Sequence, residues 1–364
     1  MVGLDLGLKT GYGQRNGDTM TGTSTDPGLT AVEILFKELM VDDDWSIRRE
    51  RGFTWWSYRL AQHVEATPIF TVNDGTLASF IRVWTDVVSD VSDINAAEEI
   101  LSFVNVHTSM SALILEPDDR SISECFTFVV YADNAHGWAK ATSVAAVLQN
   151  VEAHAFSEAL AEAVGGQPDV SEHPINGERP VMDDILNVPE QVIKPIGMGR
   201  SKFAGPMIQK LTTMDPAPWV LANGDDDSFT AEVHYSSDVT AEEVIMLPHI
   251  YQEGSGTALI QVLIREPHQE LGSGAVVVLK LPVSFDEDKV AHVAMEMNRL
   301  DAAGESNAPM MGAWCQEPGD PNSIAFFSFV PSFMAWPGVL ENLITYNSIR
   351  AEWAHQVLGE ERGD

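Results

Sequence analysis

Residues 112–131, ALILEPDDRSISECFTFVVY, align with residues 313–332, AWCQEPGDPNSIAFFSFVPS, at an offset of 201 without a gap. The alignment pairs Ala112 with Ala313, Glu116 with Glu317, Pro117 with Pro318, Asp119 with Asp320, Phe126 with Phe327, Phe128 with Phe329 and Val129 with Val330. The same offset later pairs Gly137 with Gly338, Ala153 with Ala354 and His154 with His355. These are 10 identities over the 43 positions 112–154, where ordinary residue frequencies give roughly 3 by chance. A repeat of this length constrains the fold more than any other feature, because each copy must fold as the other does. Upstream the offset becomes 193, which pairs Asn105 with Asn298 at the ends of two helical segments. The eight-residue difference falls in the Gly/Ser/Asn/Ala stretch 301–309, which reads as a longer loop.

The element order agrees between the copies. The first opens with helical spacing in Val32, Leu35, Phe36 and Leu39 over Thr30–Met40. Strand-like segments follow at Trp45–Arg49, Phe53–Val64 and Phe80–Val88, punctuated by Gly52 and Asp74-Gly75. A helix over about Asn95–Val106 takes Asp93 as its cap. A hairpin and a long helix, about Trp138–Val164, complete the copy, and Gly165-Gly166 end it. The second copy gives a helix near Pro206–Met214 and strands near Phe229–Tyr235, Ala258–Arg265 and Ala275–Val283. A helix near Glu287–Leu300, a hairpin and a helix near Pro337–Leu358 close it. The expected fold is therefore α+β: two tandem α-β-β-β-α-β-β-α domains, each an antiparallel five-stranded sheet with helices on one face. The expected boundaries are a flexible leader at 1–28, a first domain at 29–165, a Pro-rich linker at 166–203 with a short helix near Met182–Leu186, and a second domain at 204–360.

Charge narrows the function. Lys and Arg number 21 against 54 Asp and Glu, a formal charge of −33. Such a surface repels nucleic-acid phosphates and anionic membranes. No apolar run reaches the length of a membrane helix, and no signal peptide is visible, so the expected compartment is the cytoplasm. The two cysteines, Cys125 and Cys315, read as core residues.

Two acidic copies of this element order resemble the class I type III secretion chaperones, and still more the related YbjN-type family. The likeness is carried by LKLPVSFDEDKVAHVAMEMNRL at 279–300 and the strand pair around Phe327; its counterpart in the first copy, VWTDVVSDVSDINAAEEILSFVN, is degraded. The resemblance implies a sheet whose free face or edge binds a polypeptide, and no catalytic residues. In the secretion chaperones a dimer does this; two copies in one chain can build such a pair internally.

Candidate chemistry is sparse. MVGLDLGLKTGYG, with Asp5, resembles the first phosphate loop of actin-like ATPases and RNase H-like nucleases, but its strand is too short and it reads as leader. GMGRSK at 197–202 lacks Walker spacing and reads as linker. The runs Asp42–Asp44, Asp118-Asp119 and Asp225–Asp227 read as solvated turns, and the repeat-matched His154 and His355 as structural. The absence of a Gly-x-Ser-x-Gly elbow removes the main cue for a serine hydrolase. The tryptophans stand out. Trp45, Trp55, Trp56 and Trp84 lie in neighbouring predicted strands, and adjacent Trp55 and Trp56 must point to opposite sheet faces. The four are the candidate partner-binding residues, with burial between the copies as the structural reading.

The expectation is a non-enzymatic, chaperone-like or regulatory adaptor protein that binds a polypeptide or self-associates, with no cofactor and no metal. The alternatives are a small-ligand-binding protein or enzyme that uses the cleft between the copies, and a self-paired structural protein.

Overall fold

The computed structural model describes residues 26–72, 75–214, 219–224, 228–234 and 257–359. Asp5 and Asp225–Asp227 lie outside them. The first half runs α1 (Pro27–Glu38), β1 (Ser46–Arg49), β2 (Gly52–Trp56), β3 (Ala61–Ala66), β4 (Phe70–Thr71), β5 (Leu77–Ser89), α2 (Ile94–Val104), β6 (Ala112–Glu116), β7 (Ser121–Tyr131), α3 (Ala135–Val164) and β8 (Gln167–Pro168). The connection carries a 3-10 turn (Asp184–Asn187), a π turn (Pro189–Ile193) and α4 (Lys194–Gly197). The second half runs α5 (Pro206–Thr212), β9 (Val220–Gly224), β10 (Ser228–His234), β11 (Thr257–Leu263), β12 (Gly274–Lys280), α6 (Glu287–Ala302), β13 (Ala313–Gln316), β14 (Ile324–Pro331) and α7 (Val339–Gly359).

The class is α+β with two antiparallel sheets. The first has the order β1-β2-β3-β5-β7-β6, with β4 and β8 attached to β5; the second has the order β13-β14-β12-β11-β10-β9. Each main path has six strands where the sequence pattern gave five. In the first half, Phe53–Val64 reads as one strand but folds back at 57–60, so that Trp55 pairs with Gln62. In the second half, β9 is the strand that periodicity did not pick out. Read along the sheets, β1, β2, β3, β5, β7 and β6 match β9, β10, β11, β12, β14 and β13 in order.

The helix ends follow from side-chain chemistry. Asp26 caps α1, its carboxylate accepting from the amides of Gly28 (2.9 Å) and Leu29 (3.1 Å). Asp26 also pairs with Arg51 at 2.8 Å. Residues 26–28, assigned to a leader by sequence, are thus buried parts of the first helix. Asp93 caps α2 through the Ala96 amide at 3.1 Å. Gly165, at φ 67°, ends α3 in the left-handed region that an L side chain enters at a cost.

Asn105 and Asn298 do the same work in the two halves. The Asn105 side chain donates to Leu113 O at 3.0 Å and accepts from Leu113 N at 2.8 Å. The Asn298 side chain donates to Trp314 O at 2.8 Å and accepts from Trp314 N at 2.7 Å. Both are fully buried. Each amide clamps the end of a helix, α2 or α6, to the backbone of the outermost strand, β6 or β13.

Those strands and helices are also where the halves meet: α2 packs on α6 and β13, and α6 packs on β6. The contact includes exchanged backbone hydrogen bonds. Thr127 N donates to Met310 O and Phe329 N donates to Ser109 O, both at 2.9 Å. The Thr127 hydroxyl accepts from Met310 N at 2.9 Å. One contiguous apolar core runs through both halves.

Changing either Asn105 or Asn298 to Ala leaves a buried N–H and a buried C=O without partners. Each substitution is expected to cost about 2–4 kcal/mol, read by urea unfolding; a loss below about 0.5 kcal/mol at both positions would show that the clamps are dispensable.

Candidate functional site

The tryptophans do not form a docking surface. Trp55 is 1% exposed and Trp56 6%. Trp55 points toward α3, and its indole N–H donates to Gln62 Oε1 at 2.8 Å. Trp56 points to the opposite face, as adjacency required, but the connection after α3 covers it. Its indole donates to Ser171 Oγ at 3.0 Å and its ring packs edge-on against His173. Arg179 donates to Trp56 O at 2.6 Å and lies 5.5 Å from the Trp45 ring centroid. Trp45 is half-buried in a 3-10 turn (Asp43–Trp45), not on a strand. Trp84 is half-buried and stacked on His63 at 4.8 Å. The cover is therefore the chain's own connection, neither an external partner nor the second half. The reason is legible in its bonds: Ser171 N donates to Arg59 O (3.0 Å), and Asp183 N to Ser57 O (2.8 Å). Residues read as a Pro-rich linker form an ordered strap.

The strap continues onto the second half. Gly197 lies so close to the β11–β12 loop that a Cβ would stand 2.1 Å from Leu271 O, and Ser273 N donates to Gly197 O at 2.7 Å. The glycines of GMGRSK include one used for close backbone approach rather than for a phosphate. His154 is structural: its Nε2 accepts from Leu60 N at 3.3 Å, and Nδ1 meets Asn150 O at 2.8 Å.

One nucleophile-like row exists on the outer face of the first sheet. Thr54 Oγ1 lies 2.9 Å from His63 Nδ1, and His63 Nε2 lies 3.4 Å from Asp86 Oδ2. Thr54 is buried, so no substrate reaches its hydroxyl. Among the described residues, no three His, Cys, Asp or Glu side chains gather as a metal site.

The site that geometry does build is a cleft of about 800 Å³ between α3 and the second half. One wall is the α3 flank Val151, Glu152, Ala155 and Ala159. The facing wall is Val276, Phe327 and Phe329, which share one side of the second sheet by alternation. The β11–β12 loop, including His268 and Leu271, closes one end. Ile193 from the strap packs with Leu148, Leu271 and Phe329 and fixes these walls together.

Polar groups converge at one place in this apolar lining. Glu152 is half-buried and opens to the cleft, while Glu124, behind it on β7, is fully buried. The Ser111 hydroxyl donates to Glu124 Oε1 at 2.5 Å and lies 3.4 Å from Glu152 Oε2. Glu152 Oε2 also accepts from Ser109 N at 3.2 Å. Burial raises the Glu124 pKa well above the usual carboxylate range, and the charge of Glu152 adds to it. Burial likewise raises Glu152. Glu124 Oε2 has no hydrogen-bond partner in the protein. The Ser328 hydroxyl also has no partner, but it lies on the core-facing side of β14, beside Val277 and away from the cleft. His268 has both ring nitrogens occupied: Nε2 donates to His107 O at 3.0 Å, and Nδ1 accepts from the amides of Glu270 and Leu271.

Sequence reasoning missed this pair. The available signal was Glu152 among Leu148, Val151, Ala155 and Phe156 on an apolar helix flank, and Glu124 inside the strand run SISECFTFVVY.

No protein-family model, no curated protein and no solved structure matches the chain. Among the described residues no helix is long and apolar enough to cross a membrane.

Folding raises the Glu124 pKa, so the folded state keeps a proton that the unfolded chain releases in the ordinary glutamate range. The associated stability is complete below that range and is lost as pH rises through the folded value. Glu124→Gln keeps its hydrogens at every pH. Its stability relative to the native sequence is expected to increase between about pH 5 and pH 8, measured by urea unfolding. Parallel pH profiles would show that Glu124 keeps no extra proton in the folded state.

Proposed function

We propose that this chain is a binding protein, not an enzyme, and that its ligand is a small apolar molecule held in the cleft between the halves. The observation that carries this reading is the combination of apolar walls, Val151, Ala155, Val276, Phe327 and Phe329, with the half-buried carboxyl of Glu152 opening between them. Sites of this kind bury an apolar body and use a few polar atoms to fix its orientation. Chemistry is disfavoured by the state of the groups. His268 has no free nitrogen to act as a base, and the Glu124–Glu152 pair is tied up by Ser109 and Ser111.

The reading keeps the non-enzymatic character expected from sequence and changes the occupant. Of the tryptophans expected to anchor a polypeptide, Trp55 is turned toward α3, Trp56 and Trp45 are packed against the strap, and Trp84 is half-buried on His63. The cleft also has two fixed walls, joined by backbone hydrogen bonds between the halves. A preformed cavity binds without the cost of ordering its walls.

Ala155 is exposed on the α3 wall, so a larger side chain there fills the cleft without displacing core atoms. The neutral apolar probe N-phenyl-1-naphthylamine is expected to bind the native chain saturably, with a fluorescence rise. Ala155→Trp is expected to weaken that binding by about tenfold or more while circular dichroism and melting stay unchanged. Absence of saturable binding, or equal binding by a folded Ala155→Trp variant, would sink the proposal.

A further inference from the structure

The flank of α3 that lines the cleft is apolar well beyond the buried core. Val151, Ala155, Phe156, Ala159, Leu160 and Ala163 follow one another at helical spacing, and all six line the cleft. Ala155, Ala159 and Ala163 are exposed, and Val151 and Phe156 are half-buried. From Val151 to Ala163 the helix rises about 18 Å. Ile100 and Val104 from α2, and Leu186 and Pro189 from the strap, line the same stretch of cleft with further apolar groups. The cleft is therefore a trench laid along a helix.

The repeat shows that the architecture does not demand this flank. At the offset of 201 the six positions carry Glu352, Gln356, Val357, Glu360, Glu361 and Asp364 in the second copy. On α7, Glu352 is exposed and Gln356 half-buried. The second copy thus places polar side chains where the first places open alanines beside a half-buried valine and phenylalanine. An apolar flank at open positions, in a chain of formal charge −33, marks a surface that apolar matter covers.

From the length of this trench, its apolar lining and its divergence from the second copy, we infer that the cleft takes a single unbranched hydrocarbon chain with an uncharged polar end, as in a long-chain primary alcohol. This rests on the cleft being the ligand site. The cleft volume of about 800 Å³ falls within the roughly 300–1,000 Å³ of small-molecule sites. An all-trans chain advances about 1.3 Å per C–C bond, so about 14 carbons reach from Val151 to Ala163. An extended polypeptide would instead bring an N–H and a C=O every ~3.3 Å to walls that offer only alkyl and phenyl groups over that stretch. The polar end lies beside Glu152 and the β11–β12 loop, where a hydroxyl can donate to the carboxylate, and the tail runs toward Ala163. A carboxylate or phosphate end is disfavoured: Glu152, Glu190 and Glu270 line the cleft, and no Lys or Arg among the described residues does.

The test is competition against N-phenyl-1-naphthylamine on the full chain, with the 1-alkanols from hexanol to tetradecanol, decanoate, and 1-adamantanol, which packs the carbon count of decanol into a compact cage. Each added methylene is expected to tighten alkanol binding about threefold. Decanol is expected to bind about tenfold or more tighter than 1-adamantanol and than decanoate. Ala159→Trp, at an exposed position, plugs the trench about 10 Å along the helix from Glu152. That variant is expected to leave hexanol within about twofold and to weaken tetradecanol about tenfold or more. Equal binding of decanol and 1-adamantanol or of decanol and decanoate, or a folded Ala159→Trp variant that weakens hexanol and tetradecanol alike, would overturn the chain inference and leave the cleft as an apolar site. Displacement by a Leu/Gln amphipathic helical peptide at lower concentration than by tetradecanol would overturn it in favour of a protein helix. Failure of the probe itself to bind would overturn the ligand site as well.

Discussion

The structure depends on a reciprocal exchange of backbone hydrogen bonds. The loop before β6 gives Ser109 O to Phe329 of the second half, and the loop before β13 gives Met310 O to Thr127 of the first. Backbone groups buried between two packed sheets must find partners or cost free energy. Here each half completes the other. Side chains fix both loops in place, by different chemistry. Glu152 holds the amide of Ser109 at 3.2 Å, and Arg350 holds the carbonyl of Pro309 at 2.6 Å. Arg350 is itself held by Asp301 at 2.6 Å in a fully buried pair, and its guanidinium lies 3.9 Å from the Phe326 ring centroid. A charge buried this deeply needs partners for its nitrogens; Asn347 takes the remaining one at 2.8 Å.

Two halves with one framework have diverged at the positions that matter. Gln149 and Arg350 are equivalent by the repeat offset. Gln149 links Gln62, Thr85 and the Glu124 backbone, whereas Arg350 pins the 306–310 loop. The neighbouring positions carry Glu152 in one half and Trp353 in the other. The first half thus places a carboxyl pair beside the cleft, and the corresponding space in the second half is filled with indole. The cleft exists because the second half turns one sheet face toward α3 and the strap, through Ile193, Leu271 and Phe329, holds the gap at a fixed width.

Much of the framework was legible in the residues. The repeat located the hairpins and the long helices, Asp93 and Gly165 marked ends that the structure keeps, and Asn105 and Asn298 turned out to be a matched pair of clamps. Boundaries failed where local pattern and tertiary context disagree. Phe53–Val64 contains no Gly, Pro, Asn or Asp to mark a turn, so the residue pattern could not show the fold-back. The proline content of 168–195 reads as an extended linker, whereas 184–197 is a run of short helical turns, and composition does not say whether such a segment is solvated or seated on a sheet. That one gap misassigned Trp56 and Trp45, whose rings are covered by His173 and Arg179 from more than a hundred residues away. The carboxyl pair was hidden for a different reason: Glu124 and Glu152 come together only in three dimensions, and each alone looks like an ordinary polar interruption.

The central claim is that the halves are joined as one unit, so that the cleft is a permanent feature rather than a gap that opens. Native-state hydrogen exchange at the amides of Thr127 and Phe329 tests it directly. The account predicts that both exchange only through global unfolding, with the same denaturant dependence as the amides of β5 and β7 at the centre of the first sheet. Exchange of either amide through a local, denaturant-insensitive opening, orders of magnitude faster than that core, would contradict it.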